Sequence, residues 1–217
     1  IQHVYDRVAQ AKGVAEVLVA TDDERIVHAV TQFHGQVVMT SRTARSGTER
    51  VAEVARTHAA RVIVNVQGDE PLVHPEMVEQ LIDALTRHQA IPMASLRTAL
   101  TRREDVANPN VVKVVVDQEQ CALYFSRAPI PFSMTNGATP QVGGWSKHLG
   151  IYAYQRHFLL KVPSLIPTAL EQAESLEQLR VLEHGYRILV LQTPHDTISV
   201  DTPEDLIAVT AQLGERG

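Results

Sequence analysis

The chain of 217 residues has a single cysteine, Cys121, and a single tryptophan, and only 5% of it is aromatic. One thiol excludes an intrachain disulfide and suits a reducing cytosol. No apolar run approaches the roughly 20 residues needed to cross a bilayer. The opening "IQHVYDRVAQ" lacks the basic start and apolar centre of a signal peptide. Positive charge is also scarce: 20 Lys and Arg stand against 25 Asp and Glu, a net charge of -5. That balance excludes a surface built to coat nucleic acid, though not a pocket for one small anion. The G-x-S-x-G, H-E-x-x-H and glycine-lysine phosphate-loop motifs are absent too, so common hydrolase, zincin and P-loop chemistries have no support.

What is present is the composition of a soluble globular domain, 44% hydrophobic and 21% charged. Apolar residues recur at helical spacing over Ile1–Ala11, Glu24–Phe33, Thr48–Ala60 and Glu76–His88, the last with Pro75 placed for a first turn. Between them lie short β-branched runs at Glu16–Asp23, Gln36–Thr40 and Arg61–Val66. This alternation predicts an α/β fold, with a mostly parallel sheet and helices on both faces. From Pro92 the rhythm changes. Strand candidates at Pro92–Thr98, Asn110–Gln118, Cys121–Arg127 and His148–Tyr154 have no long helix among them and predict a mixed or antiparallel extension. Ala128–Ser146, dense in Pro, Gly and Asn, reads as a loop. The spacing then predicts one helix over Ala173–Gly185, a strand over Arg187–Thr193, and a final helix capped by Thr202 and Asp205.

In parallel sheets ligands gather beyond the carboxyl ends of strands. Acids stand at several such ends: Asp22 and Asp23, Asp69 and Glu70, and Asp201. Acids at strand ends often only cap the next helix, and Asp22, Asp23 and Glu70 are accounted for in that way. Asp69 follows Gly68, which lets a ligand approach the backbone, and it tops the run "RVIVNVQGDEP". Asp69 and Asp201, converging from separate strands, would suit Mg2+, a hard cation taking carboxylate oxygens and substrate phosphates. "SRTARSGTER" offers Arg42, Arg45 and Arg50 around a turn, with Thr48 placed to cap the following helix; it reads as a solvated loop or an anion contact. On the helix expected over Ala173–Gly185, Glu174 and Gln178 would share a side, with Glu177 beside them.

Taken in order, "SGTERVAEV", "VIVNVQGDEPLV", "NPNVVKVV", "ALYFSRAPIP", "KHLGIYAY", "SLEQLRVLEHG" and "VDTPEDL" resemble the 3-deoxy-D-manno-octulosonate cytidylyltransferases along nearly the whole chain. The resemblance implies a single Rossmann-like nucleotide-binding domain over 1–217, in which the antiparallel extension serves dimerisation. It also implies a cytoplasmic homodimer and Mg2+-dependent transfer of CMP from CTP to the sugar acid (Kdo) for lipopolysaccharide biosynthesis. Another acidic sugar, 8-amino-Kdo or sialic acid, is the alternative substrate, and a non-catalytic nucleotide-sugar-binding module the alternative role. By motif, Asp69 and Asp201 would ligate Mg2+ and carry catalysis. Gln67, Arg127, His148, Tyr152, Glu174, Glu177 and Gln178 would line the Kdo pocket, with Ser46 and Arg50 near the nucleotide. Members of the family open with a strand and a basic Gly-rich phosphate loop, and Ile1 aligns just after it. The expectation is that the full protein carries that segment, and that a polypeptide starting at Ile1 would be inactive.

Overall fold

The alternating apolar runs and amphipathic helices resolve, in a computed structural model of the chain, into a layered α/β arrangement. The structure describes residues 1–134, 144–200 and 202–214. Helix α1 (Gln2–Ala9) leads to β1 (Val19–Thr21), α2 (Glu24–Gln32) and β2 (Val37–Met39), then α3 (Gly47–Ala55), β3 (Val62–Asn65) and α4 (Pro75–Arg87). Next come β4 (Met93–Ala99), the short α5 (Arg103–Ala107), β5 (Lys113–Val116), β6 (Ala122–Ser126) and β7 (Ser146–Gln155). The chain continues through α6 (Arg156–Leu159), α7 (Ala169–Glu174), α8 (Gln178–Glu183), β8 (Ile188–Gln192) and α9 (Pro203–Gly214). Of the loop expected over Ala128–Ser146, residues 135–143 lie outside the described residues.

Strands β1 and β2 form a small parallel sheet of their own. The larger sheet runs β6-β5-β7-β4-β8, with β3 beside β7. Strand β7 organises it. One edge pairs antiparallel with β4 along its length, and the other is shared between β3, at Tyr152–Gln155, and β5, at Ser146 and Lys147. Because β8 is parallel to β4, the strands β3, β4 and β8 all run the same way. They are not neighbours throughout: β7, from the irregular second half of the chain, lies antiparallel between β3 and β4. The sheet is therefore mixed at its centre, not only in an extension.

Period-two alternation gives β3, β7 and β8 two packed faces. Val62 and Val64 of β3, Leu149, Ile151 and Ala153 of β7, and Leu189 of β8 pack under Met77, Val78, Leu81 and Leu85 of α4. Ile63, Tyr154, Ile188 and Val190 face the opposite layer, with Ala52 and Ala55 of α3, Phe158 and Leu159 of α6, and Leu179 of α8. This is why the strands read as continuous apolar runs.

Two local expectations are corrected. The helix expected over Ala173–Gly185 is two helices, α7 and α8, broken at Ser175, whose φ of 52° is left-handed. The helix starts earlier, at Thr168, where Glu171 completes a capping box. After the break Leu176 and Leu179 turn into the core, while Glu174 points away to β6. Glu174 and Gln178 therefore do not share a helix face. The start of α3 is also capped by Ser46, not Thr48: the Ser46 hydroxyl accepts from the Glu49 amide at 3.2 Å.

Candidate active site

The tip of β3 is a tight turn. The Glu70 amide donates to the Gln67 carbonyl at 3.3 Å and the Val73 amide to the Glu70 carbonyl at 3.1 Å. Gly68 and Asp69 are thereby thrown into solvent, while Glu70 is turned inward and buried. Burial raises the Glu70 pKa, and the neighbouring charge of Asp69 adds to it; the nearby Thr197 hydroxyl works in the opposite direction. Beside this turn runs the segment that follows β8. Lys147 of β7 donates to the Asp196 carboxylate at 2.7 Å and to the Thr197 carbonyl at 2.9 Å. The Val200 amide donates to the Asp69 carbonyl at 2.9 Å. Asp201, the other expected metal ligand, lies outside the described residues. Thr202 and Asp205 then make the reciprocal cap expected for α9.

A second group forms at the start of α3. A Cβ on Gly47 would lie 3.3 Å from the Gln67 amide oxygen, so Gln67 lies directly against this helix end. Ser46 donates to Glu177 at 3.3 Å. Burial raises the Glu177 pKa, and the Thr48 hydroxyl, Arg180 and Ser46 partly offset it. A carboxylate here also meets the positive end of the α3 dipole. Ser46, Glu177, Ser175 and Arg180 line a cleft of about 360 Å³ between α3 and the α7–α8 turn. Gln178 is buried behind it.

His148 and Tyr152 on β7 form the third group. Tyr152 stands opposite Asn65, two residues before Gln67. The His148 ring lies edge-on to Phe125, with centroids 4.9 Å apart, and 5.4 Å from Tyr152. Its Nε2 is 2.9 Å from the Ser95 hydroxyl, which also lies 2.9 Å from the Ile151 carbonyl and 3.1 Å from that of Leu149. A hydroxyl has one proton, and these carbonyls can only accept it; His148 Nε2–H therefore donates to Ser95 and Nδ1 is left as an acceptor. Burial pushes the His148 pKa down to about 3, so the ring is neutral at physiological pH and too weak a base to take up a proton.

That depressed pKa has a consequence for stability. An unfolded histidine titrates near ~6.5, so the stabilising difference is fully present above that pH and is lost as pH falls toward the folded value. Urea unfolding between pH 7 and pH 5 should show wild type losing up to about 1.4 kcal/mol per pH unit more than His148→Gln. Parallel losses in the two proteins would show that His148 is not the buried neutral group.

The remaining expected site residues are engaged with partners in the chain. Glu174 accepts from the Ser126 hydroxyl at 2.6 Å and the Arg127 amide at 2.9 Å. The Arg127 guanidinium donates to the carbonyls of Glu174 at 2.7 Å, Pro109 at 2.9 Å and Ser175 at 3.3 Å. Both are engaged in tying β6 to the α7–α8 turn. Arg50 donates to the Thr40 hydroxyl at 2.6 Å and pairs with Asp22 at 3.1 Å, joining α3 to the ends of β1 and β2. Sequence reasoning gave no role to Ser95 or Lys147, and read Thr48 only as a helix cap. Ser95, a polar residue inside an apolar strand, was the one with a visible signal.

The cytidylyltransferase family model matches residues 1–188. The 3-deoxy-manno-octulosonate cytidylyltransferase of Geobacter sulfurreducens is 49% identical over 98% of this chain and 88% of its own length. That of Syntrophobacter fumaroxidans is 50% identical over 99% of this chain and 86% of its own. Among solved structures, that of CMP:2-keto-3-deoxy-manno-octonic acid synthetase complexed with CTP is 43% identical and superposes with a TM-score of 0.93, covering 100% of this chain and 88% of that one. A 4-diphosphocytidyl-2C-methyl-D-erythritol synthase from Anaerococcus prevotii is 16% identical, with a TM-score of 0.60, covering 98% of this chain and 85% of that one; it shares the fold alone. With matches of this extent on both sequence and structure, the chain belongs to the 3-deoxy-manno-octulosonate cytidylyltransferase family of nucleotidyltransferases.

Proposed function

We propose that this protein transfers CMP from CTP to 3-deoxy-D-manno-octulosonate, releasing pyrophosphate and supplying the activated sugar acid for lipopolysaccharide assembly. The observation that carries this reading is the superposition of the whole of this chain on 88% of a synthetase complexed with CTP. The reaction is an in-line displacement at the α-phosphorus: the sugar hydroxyl forms one P–O bond as the bond to pyrophosphate breaks. Such chemistry depends on alignment and charge neutralisation more than on covalent help.

Mg2+ is the metal we assign. Asp69 is exposed at the strand tip, Glu70 is turned inward, and Val200, next to Asp201, is bonded to the Asp69 backbone. An oxygen-only donor set of this kind suits a hard cation. Bound there, the metal would supply positive charge against the α-phosphate and the sugar carboxylate. The remaining tasks fall to side chains. His148 Nδ1 would accept from a substrate hydroxyl, which orients the sugar without removing its proton. Gln67, Tyr152, Glu177 and Gln178 would complete the sugar pocket, and Ser46 and Arg50 would stand toward the nucleotide. Glu174 and Arg127 would act one step back, by holding the α7–α8 turn in place.

We assign a homodimer and a cytoplasmic setting to the enzyme. Among the described residues no helix is long and apolar enough to cross a membrane. Strand β6 is the outer strand of its sheet; Leu123 on it and Phe132 and Met134 just after it are 62%, 82% and 85% exposed. A second copy would cover this patch. Light scattering should give twice the chain mass for wild type and the single mass for Leu123→Glu/Phe132→Glu; an unshifted dimer would place the interface elsewhere.

Substrate choice is read from kcat/KM with CTP and each acidic sugar. The full-length protein should prefer Kdo to 8-amino-Kdo and sialic acid by at least about a hundredfold, the scale on which hydrogen-bonded pockets reject mismatched polar groups. An equal or better value for another sugar would overturn the substrate assignment.

A further inference from the structure

The fold brings together three metal-binding side chains that the cytidylyl-transfer reading leaves without a role. His74 precedes α4, Glu76 lies in its first turn, and His195 follows β8. Gln80 of α4 donates to the Gln192 carbonyl at 2.8 Å, which holds this helix over the end of β8. As a result the His74 and His195 rings stack, with centroids 3.8 Å apart and planes 9° from parallel. His195 Nε2 and Glu76 Oε2 are hydrogen-bonded at 2.9 Å. One nitrogen of each ring and one Glu76 oxygen lie within 4.8 Å of one another, the only such group of three among the described residues. The side chains are 35%, 26% and 67% exposed, so the group is open to an ion arriving from solvent.

Two imidazoles and one carboxylate are the donor set of a borderline divalent ion, in contrast to the all-oxygen set at the tip of β3. With zinc bonds of roughly 2.0–2.2 Å, two ligands of a tetrahedral site stand roughly 3.3 Å apart, close to the existing His195–Glu76 separation. Coordination would require the stacked rings to splay, which is inexpensive because χ2 of histidine is a broad torsion.

We propose that His74, Glu76 and His195 form a site for one zinc-class divalent ion, with water filling the open position. Binding replaces the His195–Glu76 hydrogen bond with two bonds to the ion, the neutral His195 ring keeping its one proton on the nitrogen that does not face the metal. The ion clamps the start of α4 to the segment that runs from His195 to Val200, and so to the Asp69 backbone. The site is separate from the Mg2+ ligands, and its occupancy does not depend on which sugar the enzyme uses.

The test uses tag-free, full-length protein, stripped with chelator and then saturated with millimolar Mg2+. Zn2+ is titrated calorimetrically, and Co2+ by its visible d–d absorption. Wild type and Asp69→Ala should each take up one equivalent, with a raised melting temperature in Zn2+. His195→Gln and Glu76→Gln, which should melt like wild type without metal, should bind at least about 30-fold more weakly and lose the Co2+ band. Retained binding in both of those variants overturns the proposal. So does loss of the equivalent in Asp69→Ala, which would place the ion in the active site, and so does wild-type binding no tighter than about 0.1 mM.

Discussion

Asp69→Ala is expected to abolish CMP transfer while leaving the protein folded. Removing a carboxylate that positions a divalent metal forfeits several kcal/mol of transition-state stabilisation; about 4 kcal/mol corresponds to roughly a thousandfold in kcat/KM. Stability should change by no more than about 0.5 kcal/mol, because the side chain is exposed and, among the described residues, no hydrogen bond or ion pair depends on it. The turn itself is held by backbone bonds, including the one from the Val200 amide to the Asp69 carbonyl, and these survive truncation at Cβ. Pyrophosphate release and thermal melting measured on the same preparation decide the matter. Turnover above about a tenth of wild type would remove Asp69 from the metal site.

Glu174→Ala should show the reverse pattern, with a large loss of stability and a smaller effect on chemistry. Its carboxylate accepts from the Ser126 hydroxyl, the Arg127 amide and the Tyr124 hydroxyl. Burial alone would raise its pKa, but these hydrogen bonds outweigh burial and hold the group below the usual carboxylate range. Truncation leaves the donors without an acceptor at a partly buried junction, a loss of about 2–3 kcal/mol. For a chain of this size that is a fall of roughly 5–10 °C in Tm. Because the folded pKa is depressed, the carboxylate's contribution is present above the unfolded carboxylate range and disappears as pH falls through the folded value. The wild-type and Glu174→Ala melting curves should therefore converge in acid. A normal Tm with a raised KM for the sugar acid would instead place Glu174 in the pocket, as the family resemblance implies.

How much of this could be read in the sequence depended on the range of the forces involved. The run Val62–Val66 followed by Gln67–Asp69 announced a buried strand with an exposed acidic tip, because burial pattern and turn chemistry are local properties. Pro75 and the Thr202–Asp205 pair marked helix starts for the same reason. The extent of α7 and α8 was not legible. Residues 173–185 have good helical spacing, yet Ser175 turns left-handed so that Glu174 can meet Ser126 while Leu176 enters the core. That break answers to β6, some 48 residues earlier in the chain.

Position in the sheet was equally hidden. No periodicity in Ser146–Gln155 tells that β7 will lie antiparallel between β3 and β4, and it is this insertion that sets Tyr152 opposite Asn65. The same holds for Lys147, whose ammonium meets Asp196 and Thr197, and for Ser95, which sets the tautomer of His148. By itself the sequence determined the fold class, the apolar faces, the helix starts and, through resemblance, the reaction to expect. Only the tertiary structure decided that Glu70 turns inward while Asp69 faces solvent, that Ser46 reaches Glu177, and that His74 stacks on His195. Local spacing records which side of an element is apolar, whereas these meetings are made by hydrogen bonds and packing between segments whose separation along the chain carries no trace of them.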